Sequence, residues 1–238
     1  MKKTEITKKA IIVGASSGIG KQLARIMAND GYEVGITARR LELLEQLKSE
    51  LPTKTCIKQM DISETEKAMA GLDELIKEMG GVDVIIVSAG IGHINDDLEW
   101  QPEQDTIDTN VSGATAIINI AMNHFIEKKS GHLVGISSIS ALRGAGECPA
   151  YNASKAYLSN YLQGMRLKAK KLKYKIAVTD IKPGLVDTAM AQGDGLFWVM
   201  PVETASKQIY KAIKKKKKDV VVTKRWKIIA FIMKRLPK

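Results

Sequence analysis

The stretch Ala10-Ile11-Ile12-Val13-Gly14-Ala15-Ser16-Ser17-Gly18-Ile19-Gly20 decides how the rest of this 238-residue chain is read. Its first four residues are an apolar run of strand length. The glycines follow with the spacing Gly-x-x-x-Gly-x-Gly, and a helical pattern runs from Lys21 to Asp30 and stops at Gly31. A strand that enters a helix through a glycine-rich turn lets the backbone approach a bound group closely. It also aims a helix N-terminus, with its unpaired N–H groups, at that group. The same spacing also serves a tight strand-to-helix connection with no ligand.

Outward from this junction the chain repeats the pattern. Strand-like runs are expected at Glu33–Ala38, Thr55–Met60, Val82–Ser88, Gly131–Ser137, Lys175–Ile181 and Asp219–Thr223. Helical patterns lie between them at Arg40–Glu50, Glu64–Met79, Pro102–Lys129, Tyr151–Leu172 and Thr204–Lys217. Continuous apolar strands alternating with helices predict an α/β fold, a doubly wound seven-stranded parallel sheet with helices on both faces. One domain over residues 1–223 accounts for the length, and no linker or internal repeat divides it.

The second strand ends in Ala38-Arg39-Arg40. An acidic residue there would receive a ribose 2′-hydroxyl, whereas basic residues accommodate a 2′-phosphate, so the pair argues for NADP(H) over NAD(H). Arg39 is the first candidate, with Arg40 beside it and Ser16 as a further donor. Asp61, followed by Ile62, comes after the third strand and suits an adenine amino group. Asp61 also suits the N-cap of the next helix, with Glu64 three residues on completing a capping box.

Tyr151 and Lys155 stand four apart in Tyr151-Asn152-Ala153-Ser154-Lys155, and Ser138 precedes the tyrosine by thirteen residues. On a helix, positions i and i+4 share a face. An ammonium held beside a phenol favours the phenolate and lowers a pKa that is ordinarily about 10. A serine hydroxyl nearby can hydrogen-bond the same substrate oxygen. The three together make a proton donor for a carbonyl.

These residues, in order Gly14-x-x-x-Gly18-Ile19-Gly20, Asp61, Ala89-Gly90, Asn110, Ser138, Tyr151-x-x-x-Lys155 and Pro183-Gly184-Leu185-Val186-Asp187-Thr188, resemble the short-chain dehydrogenases/reductases. The resemblance spans roughly residues 8–223 and implies a single Rossmann-like domain. It implies Tyr151 as general acid, Lys155 as its electrostatic partner and ribose ligand, and Ser138 as the group that orients the carbonyl. Asn110 would anchor a water through its backbone. It further implies that Gly14, Ser16, Ser17, Gly18, Ile19, Gly20, Arg39, Arg40, Asp61, Ile62, Ala89, Gly90, Tyr151, Lys155, Pro183, Gly184, Val186 and Thr188 hold the dinucleotide. Residues 188–201 correspond to a mobile substrate lid, and the family commonly pairs its long helices into dimers or tetramers. Two positions depart from the family pattern, Val13 where Thr is usual and Ser88 where Asn is common.

Composition bounds the remainder. The formal net charge is +11, concentrated in Lys168–Lys175, Lys214–Lys218 and residues 224–238. No aromatic residues interleave the Lys214–Lys218 run, so nucleic acid is not an expected partner. Two cysteines, Cys56 and Cys148, suggest no disulfide framework, and a cytoplasmic setting is expected. His93, His124 and His132 are too scattered to suggest a metal. The tail Trp226-Lys227-Ile228-Ile229-Ala230-Phe231-Ile232-Met233-Lys234-Arg235 mixes apolar residues with cations, the pattern of an interfacial helix; a helix docked on protein fits it equally. The expected activity is NADP(H)-dependent interconversion of a carbonyl and a secondary alcohol on an apolar substrate, with apolar lid residues Met190, Leu196, Phe197, Trp198, Val199 and Met200 excluding water. A 3-oxoacyl thioester reductase and a non-catalytic NADP-binding module are the alternatives.

Overall fold

Residues 7–189 and 198–233 are described by the computed structural model. The seven strands are β1 (Lys9–Val13), β2 (Glu33–Ala38), β3 (Thr55–Gln59), β4 (Val84–Val87), β5 (Ser130–Ile136), β6 (Lys175–Pro183) and β7 (Asp219–Val222). They form one sheet in the order β3-β2-β1-β4-β5-β6-β7, with every pairing parallel. This is the doubly wound, Rossmann-like arrangement that the alternation of strands and helices predicts. The order reverses between β1 and β4, and ligands in such sheets bind in the crevice that opens there.

Successive side chains of a strand point to opposite faces, and both faces are apolar here. Ala10, Ile12, Val84 and Ile86 pack beneath α1 (Gly18–Asn29), α2 (Leu41–Glu50) and α7 (Val202–Lys214), which contribute Leu23, Met27, Leu44, Leu47, Ile209 and Ile213. Ile11, Val13, Ile85 and Val87 pack beneath α3 (Thr65–Glu78), α5 (Ala114–Glu127) and α6 (Pro149–Leu172), which contribute Leu72, Leu75, Ile117, Phe125, Leu158 and Leu162. Each fully buried side chain of this size stabilises the fold by about 1.5–3 kcal/mol.

Three expectations are refined. The segment Pro102–Lys129 is helical as expected, without a break up to Glu127, but it is not α-helical throughout. It is α4 (Trp100–Ile107), a π-helical stretch over Asp108–Gly113, and then α5. At the end of the π-helical stretch Gly113 packs closely on the loop after β3, where an added Cβ would lie 2.4 Å from the Ile62 carbonyl oxygen. The fourth strand is shorter than its apolar run. At one end the Val82 N–H goes to His124 Nε2, and at the other Ser88 and Ala89 both donate to the Val13 carbonyl in a turn. Finally, Lys224–Met233, set apart in sequence as a tail suited to an interfacial helix or to one docked on protein, forms α8, whose Trp226 and Ala230 are buried.

Candidate active site

A cavity of about 650 Å³ opens at the C-terminal ends of the central strands. Its first corner is the turn after β1. Gly14 has φ +89°, and a Cβ on it would sit 2.5 Å from the Ala89 nitrogen, so the loops after β1 and β4 touch there. Gly14 and Ala15 both donate to the Thr37 carbonyl at 2.9 Å. Gly18 opens α1 at φ +55° and faces Thr188, whose Cγ2 would lie 3.2 Å from an added Cβ. Ser16, Ser17, Gly18 and Ile19 line the cavity, as do Ala89, Gly90, Pro183, Gly184, Val186 and Thr188. The N-cap Ser17 makes no side-chain capping bond, so the first turn of α1 presents its N–H groups and positive dipole end to the cavity. Gly20 does not line it. A Cβ there would lie 2.1 Å from the Gly14 carbonyl oxygen, so Gly20 lets α1 approach the turn.

Arg39, Arg40, Asp61 and Ile62 line the next wall. Arg40 Nη2 donates to Ser16 Oγ at 2.9 Å and to Ser17 Oγ at 3.3 Å. Arg39, the first candidate from sequence, leans instead toward Asp61, with 3.9 Å between Nη1 and Oδ2. The capping box is corrected as well. Asp61 Oδ1 accepts from the Ser63 nitrogen at 3.0 Å and from Ser63 Oγ at 2.7 Å, closing its own turn, and the N-cap of α3 is Glu64.

At the far end, α6 begins with Pro149 in its first turn and presents Tyr151 and Lys155 on one face. Lys155 Nζ lies 5.6 Å from the centre of the Tyr151 ring and donates to the Ile136 carbonyl at 3.3 Å. Ser138 caps the 3₁₀ turn Ile139–Leu142, its Oγ accepting from the Ser140 nitrogen at 3.0 Å. Ser138, Tyr151 and Lys155 all line the cavity. Gly92 lies against the phenol, 2.8 Å from an added Cβ to Tyr151 Cδ2. Asn110 sits behind this wall. Its side chain accepts from the Ile91 nitrogen at 2.8 Å and donates to the Ile91 carbonyl at 2.7 Å and to Ser154 Oγ at 3.0 Å, tying the loop after β4 to α6.

The electrostatics correct one expectation. Burial pushes the Tyr151 phenol up from its ordinary value, and the hydrogen bond with Ser138 opposes that only in part. The anticipated lowering by Lys155 is not found: burial, which penalises the phenolate, is the largest cause, and Ser138 is the group that opposes it. The same burial lowers the Lys155 ammonium to about 8, against the attraction of Asp180. Lys155 is therefore still charged at pH 7.

Ser137 also lines the cavity, but its hydroxyl is engaged by the Asp180 carboxylate, with the Ile181 carbonyl at 3.1 Å. Cys148 and His93 line the cavity, and burial pushes the Cys148 thiol up, away from a thiolate nucleophile. Among the described residues no cluster of His, Cys, Asp or Glu has three members placed to hold a metal. No helix among them is long and apolar enough to cross a membrane.

Sequence reasoning missed two features. Trp226 of α8 lines the cavity and lies over Gly184, where a Cβ would meet the indole at 2.2 Å. Trp198 meets Trp226 edge-on at 6.3 Å. The signal was the glycine after Pro183, which leaves room for a large ring. The second feature is the buried pair Asp180 and Lys182, whose charges broke the apolar run of β6. Of the expected lid, Met190, Leu196 and Phe197 lie outside the described residues. Its base is closed by pairing of Val186 with Met200.

The cavity's residues fit a dinucleotide. A cradle that a Cβ would fill at Gly14, an uncapped helix N-terminus and two guanidinium groups stand at one end, and a phenol, ammonium and hydroxyl at the other. The sequence model for the short chain dehydrogenases matches residues 8–195. A Myxococcus xanthus protein named only as an oxidoreductase is 34% identical over 188 residues, covering 77% of this chain and 74% of that one. A Danio rerio protein, dehydrogenase/reductase SDR family member 7B, is 31% identical over 239 residues, covering 90% and 77%. Among solved structures, an alcohol dehydrogenase from Thermococcus sibiricus complexed with 5-hydroxy-NADP superposes with a TM-score of 0.81 at 21% identity, over 91% of this chain and 96% of that one.

Proposed function

The chain belongs to the short-chain dehydrogenase family, and from that premise we propose that it is an NADP(H)-dependent reductase of apolar ketones or aldehydes, Tyr151 being its proton donor. The observation that carries this reading is the convergence of Ser138, Tyr151 and Lys155 at one end of a cavity whose other end is a glycine turn flanked by arginines.

The reduced nicotinamide, when bound, supplies the hydride. The rest falls to this chain's residues. The first turn of α1, with Ser16 to Ile19, holds the pyrophosphate, and Arg40 with Arg39 holds the 2′-phosphate. Asp61 and Ile62 take the adenine, and the wall from Pro183 to Thr188 with Ala89 and Gly90 takes the nicotinamide half. Ser138 Oγ donates to the carbonyl oxygen, which fixes its position. Tyr151 hands its hydroxyl proton to that oxygen as the C–H bond forms, completing the alcohol. The charged Lys155 stabilises the phenolate left behind, an interaction strengthened where water is excluded. Asn110 holds the loop that presses Gly92 on the ring. The surrounding wall is largely aliphatic and aromatic, from Ile94, Ile139, Leu185, Val186 and Trp226, which favours an apolar substrate.

Two further parts of the reading rest on exposed surfaces. Tyr157 and Leu167 on α6 are exposed, 37% and 61%, which supports pairing of two copies through the long helices. The outward side of α8 carries Ile228, 65% exposed, beside Arg225 and Lys227, which supports peripheral contact with an anionic lipid surface.

The test is Tyr151→Phe, assayed on a panel of ketones, aldehydes and acyl thioesters with NADPH and NADH. Turnover should fall roughly 10²- to 10⁴-fold while NADPH still binds by fluorescence. Undiminished turnover in the variant would overturn the assignment.

A further inference from the structure

Asp180 is 1% exposed and Lys182 3%, yet both are ionisable and sit on the same face of β6. A buried charge pair usually stabilises a fold less than apolar residues of equal volume. Its presence beside a reactive site therefore calls for a role beyond stability.

The contacts of Asp180 are specific. Oδ1 accepts from Ser137 Oγ, while Oδ2 accepts from Ser159 Oγ at 2.7 Å and from Lys182 Nζ. Lys182 Nζ also donates to Asp219 Oδ2 at 2.6 Å, and that carboxylate reaches the surface. Ser137 is the residue before Ser138, at the end of β5. Ser159 is one turn of α6 beyond Lys155 and two beyond Tyr151, so all three share a face. One carboxylate thus joins the strand end that carries Ser138 to the helix face that carries Tyr151 and Lys155. Lys155 itself donates to the carbonyl of Ile136, one residue before Ser137.

We propose that Asp180 is a positioning residue for the Ser138–Tyr151–Lys155 set, locking the end of β5 to the reactive face of α6, with Lys182 as its buried ion-pair partner. The proposal rests on the carbonyl-reductase reading above. The charge has a second consequence. Burial draws the Lys155 ammonium down to about 8, and Asp180 is the group that resists this. Of the other ionisable groups, Tyr151 shares the face of α6 with Lys155, Asp219 on β7 accepts from Lys182, and Arg166 on α6 donates to the Val178 and Lys218 carbonyls. Neutralising Asp180 lowers the Lys155 pKa further, so the ammonium is lost at a lower pH and the alkaline limb of activity moves down with it.

Two variants separate the ties from the charge. Ser137→Ala/Ser159→Ala cuts both hydroxyl ties and leaves the ion pair. Asp180→Asn/Lys182→Met removes both charges, leaving no buried ion alone. On the carbonyl substrate found for the wild type, each should lower kcat about 10- to 100-fold with NADPH affinity within about twofold. The neutral pair, having lost the one carboxylate that holds the Lys155 ammonium up, should also move the alkaline limb of kcat to lower pH. Direct titration of the Lys155 side chain by NMR, assigned with Lys155→Arg, should show the same displacement without any turnover. Folded variants with wild-type kcat and an unmoved Lys155 midpoint would refute the proposal. A wild type that reduces no carbonyl refutes the functional reading instead, and the NMR midpoints then decide the placement of Asp180's charge alone. Should the neutral pair fail to fold, the serine variant decides: wild-type kcat sinks the proposal, a loss at unchanged melting temperature supports it.

Discussion

At the scale of single residues, adjacent arginines separate what a sequence shows from what it hides. Two basic residues after the second strand were enough to place guanidinium groups on the wall of the cavity. They were not enough to choose between them, since neighbours on an extended chain point to opposite sides. Arg39 turns toward Asp61, and Arg40 reaches the hydroxyls of Ser16 and Ser17 at the glycine turn. Arg40 is thus the guanidinium placed against the glycine turn, and on the proposed reading the one that meets the 2′-phosphate. Arg40→Ala should weaken NADPH binding about 10- to 100-fold, the value of one to two charge-assisted hydrogen bonds, and leave NADH binding within about twofold. Arg39→Ala should have the smaller effect. Fluorescence titration with both nucleotides checks this; equal losses for NADH and NADPH would mean that Arg40 supports the fold and not the 2′-phosphate.

Elements were legible where their cause is local. The first strand, glycine turn and helix follow from residues adjacent in the chain, and so do the alternating apolar runs that make a parallel sheet. The π-helical stretch at Asp108–Gly113 was not legible in the local pattern, and its contacts, Gly113 on Ile62 and Asn110 on Ile91, join segments distant in sequence. For the same reason α8 read as a tail, although the residue that receives Trp226 is Gly184. Two glycines on helices make the distinction testable. At Gly20 an added Cβ would meet the backbone oxygen of Gly14 at 2.1 Å, and backbone has little room to move. Gly20→Ala should therefore destabilise by about 1–3 kcal/mol or more and weaken NADPH binding, because α1 must retreat from the turn. Gly164, in the middle of α6, has nothing within 4 Å of an added Cβ. Gly164→Ala should stabilise by about 0.5–1 kcal/mol, since alanine loses less backbone entropy in a helix. Urea unfolding of both variants gives the comparison, and a stable Gly20→Ala with normal binding would contradict the close approach of α1.

Across the whole molecule, charge is the property that the catalytic reading leaves unexplained. The chain carries a net +11. Part of its lysine excess is ordinary: Lys214 lies in the last turn of α7, where cations complement the helix dipole, and pairs with Asp30 at 2.9 Å. Lys211, Lys215, Lys217 and Lys227 instead line a shallow cleft between α7, β7 and α8. Ile228 stands exposed on the same helix that turns Trp226 into the catalytic cavity. Cations and an apolar side chain on one edge have the composition of an interfacial surface, which makes the proposed lipid contact testable. Each lysine near an anionic surface contributes about 1 kcal/mol, and that attraction fades as the screening length drops from about 10 Å at 0.1 M salt to about 3 Å at 1 M. The full chain should then sediment with phosphatidylglycerol-containing vesicles at low salt, and be released at high salt. It should ignore neutral vesicles, and Ile228→Asp should bind at least severalfold more weakly while keeping wild-type turnover on a water-soluble substrate. Absence of binding to anionic vesicles at low salt would leave the cationic edge as a solvated surface and nothing more.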